Sequence, residues 1–272
     1  MSRLNYFENR PKILPINKED YLKRLGLEQE TPSFSFLKRL HRAHLLNIPF
    51  ENLDIHYGRK IILDIDKISQ KIIVEGRGGF CYELNALFYH LLGSLGYDIS
   101  IASAQVNVDG AYSQEFEHML LLVRLDDATY LCDIGFGELF SEPKKITTEI
   151  PQLDFTNYYK FDHIDDYWVL KKSVNNSAFT PIYRFMERSR EFIEFVPRCD
   201  YHQVSPDSKY VNTKMITQLF REGRVTLTDR LLVKNLFGEI VKSPILNEDE
   251  FHIKLQENFG IDFRQLINQK LL

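Results

Sequence analysis

One run of nine residues, Arg77-Gly78-Gly79-Phe80-Cys81-Tyr82-Glu83-Leu84-Asn85, constrains the fold of this chain more than any other. Its two adjacent glycines permit tight backbone conformations that other residues rarely adopt. From Tyr82 to Leu95, apolar residues recur at the spacing of an amphipathic helix, and Gly96 stands where a left-handed C-terminal cap is expected. The pattern predicts a loop followed by a helix, with Cys81 at or just before the first turn.

A cysteine at the start of a helix is placed for nucleophilic chemistry. The unpaired backbone N–H groups of the first turn favour a thiolate at Cys81. A lone cysteine is more often a small buried apolar residue, and that interpretation suits Cys132 and Cys199. For Cys81 the spacing alone leaves a functional and a packing role evenly balanced. The three cysteines lie far apart, so neither a disulfide framework nor a zinc site is indicated.

A cysteine nucleophile needs a nearby base and a third group that orients the base. The segments His118–Leu125 and Thr129–Gly135 have the composition of two strands. If Asp126-Asp127 forms a two-residue turn, His118 and Asp133 lie on one face of the hairpin as diagonal neighbours. A three-residue turn without a bulge would separate them. By itself His118 is a weak candidate, whereas a carboxylate in an apolar strand, as at Asp133, should have a partner.

Two other patterns have simpler interpretations. His41 and His44 have helical i, i+3 spacing, but no clustered acid or third histidine supports a metal site, so a structural or solvent-facing role is favoured. Gly135-Phe136-Gly137 lacks the rest of a dinucleotide-binding fingerprint. We interpret it as a tight turn that presents Phe136 to a cleft, with plain packing as an equal alternative.

The order of predicted elements indicates an α+β chain in three parts. The helices are expected at Glu19–Leu25, from Ser33 or Ser35 to Leu46, and at Ile65–Val74, with a loop at Phe50–Asp54. From Tyr97 the sequence alternates, which predicts a β-rich barrel or sandwich over about 97–200. The last part is expected to hold an irregular stretch at Pro197–Tyr210, a short sheet from Arg224–Leu232 and Leu236–Val241, and a helix from Asn247 to Gly260 with Phe251 and Leu255 inward.

The composition limits the partners. The 272 residues carry a net charge of -4 with a pI near 6.1, which gives no sign of a nucleic-acid or anionic-membrane partner. No signal-like N-terminal stretch or long apolar run is present, so the cytoplasm is the expected location. The oligomeric state is left open.

Four ordered motifs resemble the arylamine N-acetyltransferase family. They are Ile48-Pro49-Phe50-Glu51-Asn52-Leu53, the run from Arg77 to Asn85, His118-Met119-Leu120-Leu121-Leu122-Val123, and Asp133-Ile134-Gly135-Phe136-Gly137. Arg221-Glu222-Gly223-Arg224-Val225-Thr226-Leu227 adds a looser match in the C-terminal half.

The resemblance implies a fold and a reaction. The fold is a cysteine-protease-like, or transglutaminase-like, architecture with a helical domain (1–96), a β-barrel (97–205) and an α/β lid (206–272). The reaction is a ping-pong transfer in which acetyl-CoA, a substrate and not a permanently bound cofactor, acetylates Cys81. An arylamine or arylhydrazine nitrogen then takes the acetyl group, without a metal.

The same likeness assigns roles to single residues. The catalytic triad would be Cys81, His118 and Asp133. The substrate-contacting residues would be Phe50, Phe136, Gly137 and Phe195, and the loop would be supported by Arg77, Gly78 and Gly79. Three alternatives stay open: an amide synthase that moves a long acyl chain from a carrier protein, an acyl-thioester hydrolase, and a non-catalytic binding module.

Overall fold

The computed structural model describes residues 11–155 and 157–262. The α-helices are α1 (Lys18–Leu25), α2 (Phe34–Asn47), α3 (Leu53–His56), α4 (Ile65–Ser69), α5 (Cys81–Ser94), α6 (Val196–Val204), α7 (Lys209–Asn212) and α8 (Glu248–Phe259), with a π-helical turn at Gln70–Val74 and a 3₁₀ turn at Phe192–Phe195. The strands are β1 (Phe50–Glu51), β2 (Asp98–Val108), β3 (Ala111–Tyr112), β4 (His118–Leu125), β5 (Ala128–Cys132), β6 (Lys144–Lys145), β7 (Gln152–Asp154), β8 (Asn157–Ile164), β9 (Tyr167–Ser173), β10 (Thr180–Phe185), β11 (Met215–Phe220), β12 (Gly223–Thr228), β13 (Leu231–Leu236) and β14 (Glu239–Pro244).

The helical part surrounds α5, which is buried along most of its length. Helix α2 begins after Ser33, whose hydroxyl caps the Phe36 N–H, and ends before Pro49, as predicted. Helix α1 ends at Gly26 in the left-handed conformation, with φ of 67°. Helix α4 continues into the π-helical turn that leads to the glycine loop. These elements position the start of α5 directly after the loop Arg77–Phe80, which is called the cysteine loop below.

The second part is a nearly closed antiparallel barrel. Its strands run in the order β6-β5-β4-β2-β10-β9-β8-β7, and β3 pairs with β2. The two edge strands, β6 and β7, lie close together. The Gln152 side chain of β7 bonds both the N–H and the C=O of Lys145 in β6. An aromatic and aliphatic core fills the interior. The predicted β-rich region is therefore a barrel, and the α+β fold is confirmed.

The third part is a five-stranded antiparallel sheet, β1-β11-β12-β13-β14, packed on α8. The predicted loop at Phe50–Asp54 is wrong, since β1 pairs with β11 and α3 follows at once. That pairing joins residues about 165 positions apart, which local sequence cannot show. The predicted strand Arg224–Leu232 is wrong too, because it crosses a two-residue turn at Asp229-Arg230 that separates β12 from β13.

Two further predictions concern helices. The stretch Pro197–Tyr210, expected to be irregular, overlaps α6 and the start of α7. Pro197 lies in the first turn of α6, where its missing N–H costs no helical hydrogen bond, so the proline does not break the helix. The final helix α8 is confirmed, with Asn247 capping its start, Gly260 at its end, and Phe251 and Leu255 buried.

Candidate active site

Cys81 is the first residue of α5, and its thiol is buried. Burial raises the pKa of the Cys81 thiol well above its ordinary value, the negative groups around it raise the pKa further, and the Tyr82 backbone N–H lowers it. The backbone N–H at the helix start lowers the pKa of the thiol, as expected, and burial acts in the opposite direction with the larger effect. Ionising Cys81 requires a proton acceptor.

His118 and Asp133 meet, as the two-residue turn predicts. Leu125 pairs with Ala128, and both intervening aspartates have positive φ, at 49° and 59°, which is the geometry of a type I′ turn. His118 Nε2 lies 2.8 Å from Asp133 Oδ2, and both side chains are buried. A carboxylate only accepts hydrogen bonds, so Nε2 carries the proton and Nδ1 is left as the basic atom.

Asp133 does not lie within a strand as predicted, since β5 ends at Cys132. Its Oδ1 atom accepts the Gly135 N–H at 3.1 Å, which turns the chain away from the sheet. Burial opposes the charge of Asp133, yet the nearby His118 and its hydrogen bond hold the pKa of the carboxyl below its ordinary value. The Tyr183 hydroxyl donates a further hydrogen bond to Oδ2 at 3.1 Å.

Asn85 connects the cysteine helix to β4 and to the segment that follows β5. Its Nδ2 atom donates to the Met119 carbonyl at 2.7 Å and to Asp133 Oδ1 at 3.3 Å. Its Oδ1 atom accepts the Ile134 N–H at 3.2 Å. Because Asn85 lies one helical turn after Cys81, it aligns the cysteine with the strand that begins at His118.

Two more contacts fix Cys81 beside the hairpin. The Tyr82 hydroxyl donates to the carbonyls of Phe116 and Glu117, the residues directly before His118. Gly135 packs so closely that a β-carbon there would lie 2.6 Å from Asn85 Nδ2 and 3.0 Å from Cys81 Cα. These contacts bring the three residues predicted as a triad to one junction between α5 and the barrel.

His41 and His44 are hydrogen-bonded core residues. His41 Nε2 accepts the Asp133 N–H at 3.2 Å, and its Nδ1 atom bonds the Ser141 carbonyl at 2.9 Å. His44 Nδ1 bonds the Tyr21 hydroxyl at 2.7 Å. Burial lowers the pKa of His41 to about 4. His41 therefore holds the backbone of Asp133 as a neutral imidazole.

A buried ion cluster lies under the cysteine loop. Arg77 pairs with Glu51 at 2.6 Å and with Asp54 at 2.9 Å. Lys71 pairs with Asp54 and with Glu83, each at 2.8 Å. Glu83 also accepts the Phe80 N–H at the start of α5. The cluster ties the loop to α3, to the π-helical turn and to the cysteine helix.

The loop glycines have no room for a side chain. A β-carbon on Gly78 would clash with the Pro49 carbonyl oxygen, and one on Gly79 would lie 3.0 Å from Ile72. The Gly79 N–H donates to Pro49, and the Gly79 carbonyl accepts the Glu51 N–H. The loop is thereby attached directly to β1.

The residues predicted to contact substrate lie in different settings. The ring of Phe136 meets His118 edge to face at 5.1 Å and is partly exposed. Phe50 packs on Phe80 at 5.7 Å between centroids. Gly137 has φ of 95° and lies against Thr217 of the lid. Phe195 is fully buried. Its contact with a substrate stays a prediction.

Sequence reasoning missed several residues of this junction. Asn85 has i, i+4 spacing from Cys81, a signal that could have found it. Lys71 lies three residues after Ile68, on the apolar stripe of the predicted helix, which also marks it. Tyr183 reaches Asp133 only through the order of the barrel strands, and nothing local to residue 183 indicates this.

Within residues 11–155 and 157–262, no helix is long and apolar enough to cross a membrane. In the same ranges, no cluster of three or more histidine, cysteine or acidic residues has the arrangement of a metal site.

Known proteins resemble this chain over most of its length. An arylamine N-acetyltransferase of the pineal gland from Gallus gallus is 28% identical over 90% of this chain and 94% of the relative. Proansamycin X synthase from Amycolatopsis mediterranei is 29% identical over 86% and 93%. The solved structure of the arylamine N-acetyltransferase from M. smegmatis is 26% identical and superposes with a TM-score of 0.85 over 93% of this chain and 94% of that one.

A family model described as N-acetyltransferase matches residues 33–267, which include the cysteine loop, the barrel and most of the lid. The resemblance inferred from the four motifs is thereby confirmed, and the chain belongs to the N-acetyltransferase family.

Proposed function

We propose that this protein is an arylamine N-acetyltransferase that moves an acetyl group from acetyl-CoA to an arylamine or arylhydrazine through an acetyl-cysteine at Cys81. The observation that carries the proposal is the buried His118–Asp133 hydrogen bond at the junction that also holds Cys81. The family of the chain and the names of its relatives support the acetyl donor and the acceptor class.

In the first half-reaction, His118 Nδ1 takes the proton of Cys81 as the sulfur attacks the thioester carbonyl. Burial raises the pKa of the thiol, which is the reason that the attack needs a base to accept its proton. Asp133 stabilises the resulting imidazolium and keeps the proton on Nε2. The Cys81 N–H is placed to stabilise the oxyanion, and coenzyme A leaves as a thiol with the proton returned by His118.

In the second half-reaction, the acceptor nitrogen attacks the acetyl-cysteine. His118 takes the proton of the amine, the C–S bond breaks, and Cys81 is released as the thiol when His118 gives up that proton. An aromatic amine suits this step because its nitrogen is largely unprotonated at neutral pH. Phe136 packs on His118 and supplies an aromatic wall for such an acceptor.

A second candidate is an amide synthase on the same fold. A relative named proansamycin X synthase, 29% identical over 86% of this chain, favours it. A synthase of this kind would use a long acyl chain on a carrier protein in place of the acetyl group.

An assay of acetyl transfer tests the proposal. Acetyl-CoA and a panel of anilines, hydrazines and aminobenzoates should give N-acetyl products, with the parallel double-reciprocal lines of a ping-pong reaction. Release of coenzyme A at the same rate with and without acceptor would support a hydrolase instead, and the absence of any transfer to the panel would contradict the proposal.

A further inference from the structure

Two cations, one on the barrel and one on the five-stranded sheet, interact electrostatically with each other. Lys172 lies on β9, and Arg224 lies on β12. Both are partly buried. Among the residues that the structure describes, neither has a carboxylate within 4 Å. Charged side chains that leave water are normally paired, so two such cations together indicate a partner that is not part of this chain.

The strand register directs Lys172 into the barrel. Its Cα partner on β8 is Tyr159, a buried residue whose ring meets Phe140 at 5.4 Å. Directly opposed residues in an antiparallel pair project from the same face of the sheet. The side chain of Lys172 therefore projects from the interior face of the barrel, whereas that of its neighbour Lys171 projects outward and pairs with Asp162.

Arg224 lies on the five-stranded sheet, close to the loop at Gly137. Its Nη1 atom lies 3.4 Å from the Thr217 hydroxyl, which bonds the Thr226 hydroxyl at 2.8 Å. Thr217 is the strand partner of Phe50 and contacts Gly137. Arg224 is thus next to the loop that carries Phe136, and its guanidinium supplies donors suited to an anion.

The electrostatics agree with this placement. Burial lowers the pKa of Lys172 and of Arg224, and the charge of Arg224 lowers the pKa of Lys172 further. Glu138 raises the pKa of both, but it is exposed and forms no ion pair with either within the described residues. One distant carboxylate leaves the two positive charges incompletely compensated.

We propose that Lys172 and Arg224 form a subsite that binds an anionic group, a carboxylate or a phosphate, of a substrate of this enzyme. The inference rests on the proposed function for the identity of the substrates, which are an aromatic acceptor and coenzyme A. An acceptor would supply a ring carboxylate, and coenzyme A would supply its phosphates. Both present the same chemistry to a lysine and an arginine.

Equilibrium binding tests the subsite without depending on turnover. Dissociation constants are measured by calorimetry for two matched pairs of probes: 4-aminobenzoate with neutral 4-methylaniline, and coenzyme A with pantetheine, which lacks the phosphates. The proteins are the wild type, Lys172→Gln and Arg224→Gln. Lys171→Gln, which removes a positive charge from the outer face of the same strand, is the control.

We expect each subsite variant to bind one charged probe about tenfold more weakly, the loss of one charge-assisted hydrogen bond, and to bind its neutral partner unchanged. Weakening of 4-aminobenzoate identifies an acceptor carboxylate, and weakening of coenzyme A identifies a donor phosphate. Arg224→Lys should keep the affinity within a few fold because it keeps the charge, which separates the effect from misfolding. Lys171→Gln should match the wild type.

Equal affinities for both charged probes in the wild type and the two subsite variants would overturn the inference, as would a wild type that binds neither. Failure of the proposed function has a different signature. In that case the wild type would form no acetyl-cysteine from acetyl-CoA, whatever the two variants do to probe binding.

Discussion

His118 Nε2 donates to Asp133 Oδ2 across 2.8 Å, inside a pocket where both side chains are closed off from water. Asp133 can hold the imidazole in this orientation because its other oxygen is itself fixed by Asn85 and by the Gly135 N–H. The carboxylate determines which ring nitrogen carries the proton. An asparagine at position 133 would replace one of the two carboxylate oxygens, both acceptors, with an NH₂ group that donates.

Asp133→Asn should therefore lower kcat/KM for acetyl transfer by a factor on the order of 10³, through the wrong tautomer and orientation of His118. Asp154→Asn is a matched control, since Asp154 is also a buried barrel carboxylate but pairs with Lys144. It should lose stability and keep kcat/KM close to the wild-type value. Wild-type turnover in Asp133→Asn would refute the role assigned to Asp133.

The ion cluster under the loop should be sensitive to the loss of one charge. Lys71→Met removes the buried cation that pairs with Glu83 and one of the buried cations that pair with Asp54, so we expect the free energy of unfolding to fall by about 3–5 kcal/mol. Lys60→Met removes only an exposed pair with Asp200 and should cost less than about 1 kcal/mol. Urea unfolding measures both, and equal losses in the two variants would contradict a structural role for the cluster.

Gly135 tests how closely the hairpin must approach the cysteine. A β-carbon there would press on Asn85 and on the Cys81 backbone, so Gly135→Ala should displace the nucleophile and lower kcat/KM by about 100-fold. Gly110→Ala, in an open turn with φ of 90°, should cost about 1 kcal/mol of stability without altering kcat/KM. Steady-state kinetics measure kcat/KM for the two folded variants. A wild-type kcat/KM in both would contradict the close approach of Gly135 to Cys81.

Stability should fall as the pH decreases from 7 to 5. Burial lowers the pKa of His41 and of His90 to about 4. A depressed folded pKa means that the unfolded chain binds more protons below its own pKa of about 6.5, so each histidine contributes stability that is complete above 6.5 and is lost toward 4. At pH 5 the loss is about 2 kcal/mol for each.

His90→Gln checks this assignment, because a glutamine oxygen can accept the Leu14 N–H that His90 Nδ1 accepts at 3.0 Å. The variant should show a smaller difference in urea stability between pH 7 and pH 5 than the wild type, by about 2 kcal/mol. An unchanged difference would show that another group causes the pH dependence.

Local patterns predicted the elements that depend on nearby residues. The caps of α2 and α8, the run of α5 and the turn at Asp126-Asp127 all follow from side chains within a few positions. The two-residue turn determined the pairing register of β4 and β5, and that register brought His118 to Asp133. This part of the site was accessible from residues alone.

Pairing at a distance and burial were not accessible in the same way. The strand β1 exists because β11 lies beside it, and Tyr183 reaches Asp133 only because β2 separates β10 from β4. The raised pKa of the Cys81 thiol follows from desolvation, which depends on what packs around the thiol and not on its position in the helix. The predicted domain boundaries and the substrate contacts stay proposals.

The most direct test is the intact mass of the protein after mixing with acetyl-CoA in the absence of acceptor. The wild type should gain one acetyl group, Cys81→Ala should gain none, and Cys199→Ala, which removes another buried cysteine, should gain one as the wild type does. Adding an arylamine should remove the acetyl group from the wild type. A wild type that gains no acetyl group, or a Cys81→Ala variant that still gains one, would contradict the role of Cys81 as the acetyl acceptor.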